Sequence, residues 1–165
     1  MSVVLDILRT YRAPREVQAR RMAGAPREDR ALAVLLAGCA VIFIAQWPRL
    51  ARESHLDAGV DLEARLAGAL FAWLMIMPLV FYVLAFVLHL ILRGIGHAVS
   101  GYAVRMALFW AVLAAAPLWL LSGLLAGFAP GPGFAIVSTA ALLAVVVFTG
   151  AGVMVATESL REVRE

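Results

Sequence analysis

His89, Arg93 and His97 stand four residues apart in the stretch HLILRGIGHAVSGYAVR, which runs from His89 to Arg105. On an unbroken helix that spacing puts two imidazoles and a guanidinium on one face, an arrangement that invites metal, haem or phosphate chemistry. A metal asks for more ligands, and neither a carboxylate nor a cysteine stands near these three. Gly94 and Gly96 also predict a helix break between the two histidines. A transmembrane haem would find only His89 well inside a span, because His55 falls in the opposite loop. The segment GIGHAVSG matches neither nucleotide-binding glycine fingerprint, and it follows an apolar helix rather than a strand. Ser122, Ser138, Thr139 and Thr149 lack a histidine or lysine partner at a spacing that would activate them. No Asp or Glu interrupts the long apolar segments, which argues against a proton-coupled pump. The single cysteine, Cys39, has no partner for an internal disulfide. The expectation is a non-enzymatic chain with no catalytic residue, no metal and no cofactor.

The elements that carry these residues belong to a membrane protein. Of 165 residues, 64% are hydrophobic and 15% charged, with a mean hydropathy of +0.92. A soluble domain is closer to half apolar and a quarter charged, and a chain of this size cannot hide the excess in one core. Four apolar segments are predicted as spans, at about 31–47, 66–92, 103–128 and 134–157. Pro26, Glu28 and Asp29 mark the start of the first, and Trp47 with Pro48 its stop. Pro78 predicts a kink in a single tilted second helix. Pro130 to Gly133 separate the third span from the fourth. The fold expected is an all-α polytopic transmembrane helical bundle of four spans, five being the alternative, with a short amphipathic N-terminal arm. No cleavable signal peptide is expected, because the first thirty residues lack a long apolar run.

All fourteen basic side chains that carry a full charge are arginines. Seven lie in the arm 1–30, Arg93 and Arg105 bracket the second loop, and Arg161 and Arg164 lie in the tail 158–165. The opposite side holds Arg49, Arg52 and Arg65, offset by Glu53, Asp57, Asp61 and Glu63. Eleven against three places both termini in the cytoplasm, and the arginine- and alanine-rich composition points to a GC-rich bacterial gene and hence an inner membrane. In the arm, PREVQARRMAG writes as a short helix whose Val17 and Met22 would meet an anionic leaflet, or else as a solvated basic segment. His89, Arg93, His97 and Arg105 are candidate polar or headgroup contacts.

The remaining pattern concerns packing. Ala103, Ala107, Ala111 and Ala115 recur every four residues, followed by Gly123 and Gly127 in GLLAG. Small residues at this spacing let membrane helices approach closely, either within the chain or against another protein. Bacterial members of the Yip family, multipass proteins related to Rab-interacting membrane proteins, resemble this chain over most of its length. The resemblance rests on the arm YRAPREV, on the first span ending FIAQWPRLARE, and on ILRGIGHAVSGYAVRMALFWAVLAAAPLWLLSGLLAGF with its central Pro117. Relatives usually have five spans and a paired glycine where this chain reads Gly94-Ile95-Gly96. The resemblance implies a non-enzymatic, interaction-type role as accessory subunit, scaffold or assembly factor. A small oligomeric transporter or channel is the rival expectation, with His89, Arg93 and kinks at Pro78 and Pro117 along its path. The partners expected are anionic lipid headgroups and another membrane protein, not nucleic acid, with the oligomeric state left open.

Overall fold

The computed structural model describes residues 2–57, 59–97 and 99–162, with side chains as far as 158. Two short helices come first, α1 (Val3–Thr10) and α2 (Pro14–Met22). α2 begins where its residue types allow: proline at the first helical position forfeits no intrahelical bond, and Glu16 leads while Arg20 and Arg21 close the last turn.

α3 (Glu28–Leu56) follows and runs 29 residues, about 43 Å at 1.5 Å per residue and longer than a hydrocarbon core of about 30 Å. The stop expected at Trp47 and Pro48 is not observed. Pro48 removes one backbone donor, yet the helix beyond it is held by side chains three and four residues apart. Arg49 bonds back to Gln46 at 2.8 Å and forward to Glu53 at 3.0 Å, and Arg52 reaches the Gly127 carbonyl at 3.3 Å. These contacts offset the missing bond.

α4 (Leu62–Gly94) starts four residues before the expected apolar segment and is continuous for 33 residues. Asp57 shapes the turn into it, accepting from the Gly59 N–H at 3.0 Å and from Arg65 at 2.8 Å. Inside α4 the turn Ala72–Ile76 is widened to π geometry, and the Met77 N–H bonds back five residues to Ala72. Pro78 explains the widening. Its ring would collide with the Leu74 carbonyl of a regular turn, and a wider turn before it lets the helix continue.

Gly96 reverses the chain with a φ of 85°, while the His97 N–H bonds the Leu92 carbonyl at 2.9 Å. Such a left-handed turn favours glycine. Ser100 then caps α5 (Gly101–Ala114), its Oγ accepting from the Ala103 N–H at 3.1 Å. α6 (Ala116–Phe128) departs from α5 at 44°, at Pro117 near its first turn. α7 (Pro132–Glu162) is the last helix among the described residues. The expected tail 158–165 is helical to Glu162; its last three residues, Arg164 included, and the Arg161 side chain lie outside the described residues.

α5 is the hub. Every residue from Met106 to Ala116 is buried, with α3 and α7 on either side, α4 on a flank, and α1 and α2 closing the end near the termini. The core gathers Leu35 and Cys39 of α3, Ala85 of α4, Phe109 and Trp110 of α5 and Phe148 of α7. Outward, α4 and α7 show apolar side chains such as Phe71, Leu79, Phe86, Ile136 and Val146. The described residues are helical without a strand. α3, α4 and α7 are long and apolar enough to cross a membrane, and the bent pair α5–α6 makes a fourth when counted as one span.

Candidate functional site

The residues that first suggested chemistry do not converge. His89 faces inward from α4, partly buried, with Nδ1 sealed off and without a hydrogen-bond partner. Arg93 is exposed in the last turn of α4, and His97 is exposed beyond the Gly96 reversal. Among the described residues no three His, Cys, Asp or Glu side chains are grouped to hold a metal. Arg105 turns to its own chain: Nε donates to Glu28 Oε2 at 3.2 Å and Nη2 pairs with Oε1, tying the start of α5 to the start of α3.

The small residues are placed in seams within the chain. Ala103, Ala107, Ala111 and Ala115 are all buried. A Cβ on Gly123 would lie 2.7 Å from the Ala45 carbonyl carbon, and one on Gly127 2.7 Å from the Pro48 carbonyl carbon. Both distances are too short for any side chain, so α6 lies backbone to backbone on α3. Gly152 of α7 makes the matching approach to α5, where a Cβ would come 2.7 Å from the Ala107 methyl.

Two polar sites stand out from this apolar frame. The first is built by the α1–α2 hairpin. Its Asp6 and Arg21 pair at 2.7 Å with about a tenth of each side chain exposed, and the Arg21 guanidinium carbon lies 3.8 Å above the Trp110 ring. Trp110 Nε1 donates to Thr10 Oγ1 at 3.1 Å, and that hydroxyl donates to the Asp6 carbonyl at 2.7 Å. Arg20 approaches Asp6 at 3.8 Å. Burial pulls the Arg21 pKa below its ordinary value while the Asp6 hydrogen bond and charge push it back; a guanidinium stays charged through such a shift. Gln18 completes the site, donating to the carbonyls of Ala107 at 3.2 Å and Phe148 at 3.3 Å and so clamping α5 to α7. Outside, the hairpin shows Val4, Leu5 and Leu8. α1 is turned inside out relative to a helix in water, with Asp6 and Thr10 inward and its apolar side chains outward.

That arrangement differs from the expected arm. Val17, which one of the two expected readings set against the leaflet, is 1% exposed and packs in the core; the outward apolar face belongs to α1. One signal was available: the indole N–H of a tryptophan in mid-span needs a partner, and the arm is rich in polar side chains.

The second site is a cavity of about 300 Å³ in the half of the bundle remote from the termini. Ile42, Ala45, Gln46 and Arg49 of α3, Trp73 of the π turn, Trp119, Ser122, Gly123 and Ala126 of α6, and Phe134 and Ser138 of α7 line it. Trp119 Nε1 is buried there without a partner. Neither His89 nor Arg93 lines this space. Another space, about 450 Å³ and almost wholly apolar, is a groove between α4 and α7 floored by Leu108.

Comparison with families of known proteins, with curated proteins and with solved structures found no match to this chain.

Proposed function

We propose that this chain is a non-enzymatic inner-membrane protein of the Yip type, with four spans and both termini in the cytoplasm. It acts as an accessory subunit, scaffold or assembly factor of a membrane complex. The apolar groove between α4 and α7 carries the reading. Leu84, Leu88 and Ile91 form one wall, Val146, Gly150 and Val153 the other, and a Cβ on Gly150 would meet nothing within 4 Å. A bare glycine in an open apolar groove leaves room for a helix from another protein to approach closely. The buried α5 supports the same view, since it fills the axis along which a solute would travel. The experiment is purification in mild detergent followed by mass spectrometry of the wild type and of Gly150→Trp. A stoichiometric membrane partner lost from the variant is expected; a clean wild-type monomer refutes the subunit role.

A small oligomeric transporter or channel is the second reading, favoured by the cavity beside the π turn, because interrupted helices often frame transport sites. Solute flux into liposomes carrying the purified chain separates it from a scaffold.

A further inference from the structure

We propose that the cavity between α3, α4, α6 and α7 binds an anionic amphiphile, taking a carboxylate or phosphate head at Arg49 and Trp119 and the first carbons of an aliphatic chain against Trp73 and Phe134. The inference is independent of the accessory-subunit reading and rests on the balance of donors and acceptors in the wall. Trp119 Nε1 is buried with no acceptor. Gln46 offers its carbonyl to Arg49, accepting from Nε at 3.2 Å and Nη2 at 2.8 Å, which leaves its amide N–H groups unused. Arg49 sends Nη1 to Glu53 at 3.0 Å and keeps two of its five N–H groups. Among the described residues no Asp or Glu lines the cavity. The uncommitted groups are therefore the N–H donors of Trp119, Gln46 and Arg49 and the neutral hydroxyl oxygens of Ser122 and Ser138, beside a cation whose ion pair with Glu53 is partly solvated, at 45% and 39% side-chain exposure. A wall of that kind selects acceptors with negative charge.

Shape and depth agree. About 300 Å³ is the lower end of small-ligand pockets, enough for a head and a few methylenes. Trp47, Trp73 and Trp119 all lie in this half of the bundle, and tryptophan concentrates where headgroups meet acyl chains. The π turn belongs to the same site: by widening α4 ahead of Pro78 it sets the position of Trp73 in the wall, and such turns recur at functional sites.

The ligand chemistry has two sources, a membrane phospholipid or a free fatty acid, and the experiment separates them. The full chain in a neutral detergent is titrated by native mass spectrometry with phosphatidylglycerol and with oleate, each against its uncharged counterpart, diacylglycerol and oleyl alcohol. Saturable one-to-one retention of an anionic amphiphile is expected, about tenfold or more above the neutral one, as one charge-assisted bond implies. Preference for phosphatidylglycerol identifies a lipid site, and preference for oleate a fatty-acid site. Arg49→Gln should abolish the discrimination. Trp119→Phe keeps an aromatic side chain in the wall but removes the indole N–H with its pyrrole ring; it should weaken retention of the anionic amphiphile several-fold and leave that of the neutral counterpart nearly unchanged. Equal retention of charged and neutral amphiphiles by the wild type, or unchanged retention by Trp119→Phe and Arg49→Gln, overturns the proposal.

Discussion

Asp6 and Arg21 carry opposite charges where little water reaches them, so each is costly without the other. Asp6→Ala leaves Arg21 buried and unpaired over an indole, and the expected loss of stability is about 3 kcal/mol or more. Thermal unfolding in detergent checks it; a loss no larger than that of an exposed pair, such as Arg27→Ala at the exposed Arg27–Asp29 pair, would show the node to be ornamental. Trp110→Phe deletes the bond to Thr10 and leaves the space of the missing ring in a fully buried site, for a smaller loss of about 2 kcal/mol. Asp57 behaves differently because it is exposed. The Gly59 N–H and then Arg65 hold its carboxyl below the usual carboxylate range. A lowered folded value means that the turn gains stability above the unfolded value of about 3.9 and loses it as pH falls through the folded one. The protection of the Gly59 amide, its intrinsic exchange rate over the observed rate at the same pH, should therefore be flat from neutral pH to about pH 5 and fall in stronger acid. Asp57→Asn should remove that acid limb, and an unchanged profile would refute the assignment.

Three prolines within apolar segments show how far the elements could be read in advance. Pro48 looked like a stop, Pro78 and Pro117 like kinks. In the structure α3 continues through Pro48, α4 widens one turn ahead of Pro78, and α5 gives way to α6 at a 44° bend near Pro117. Residue type fixes what each proline removes, a donor and the space of one carbonyl. The response depends on neighbours that no local window contains: Gly127 lies against Pro48, and Arg52 ties the same stretch to α6. Apolar periods and the turn at Pro130 to Gly133 made the long helices legible. The hairpin was not, because its decisive partners, Trp110, Ala107 and Phe148, lie far along the chain. The glycines of GLLAG were legible as a contact but not as a contact with α3. Gly123→Ala should destabilise the bundle by about 2 kcal/mol or more, since backbone rather than a flexible side chain stands in the way. Gly150→Ala, facing open space, should be neutral or slightly stabilising by a few tenths of a kcal/mol. Unfolding midpoints that rank these two the other way would contradict the α3–α6 seam.

Taken whole, the molecule alternates long helices so that the start of α3, the end of α4, the start of α5 and the end of α7 lie at one end, with the hairpin and most of the arginines. The opposite end holds the short turns and the donor-lined cavity. A reporter fused after Glu165 should be cytoplasmic under the four-span reading; a periplasmic reporter would require a fifth crossing. One consequence follows from Gln18, whose two acceptors lie 89 and 130 residues further along the chain. A ribosome releases the hairpin first and α7 last, so the segment made earliest is the last able to settle. Until the final helix is in place, Gln18 lacks one of its two acceptors and the hairpin meets α5 alone. An unfinished or misinserted copy would carry its hairpin loose, within reach of proteases, while a complete one tucks it away.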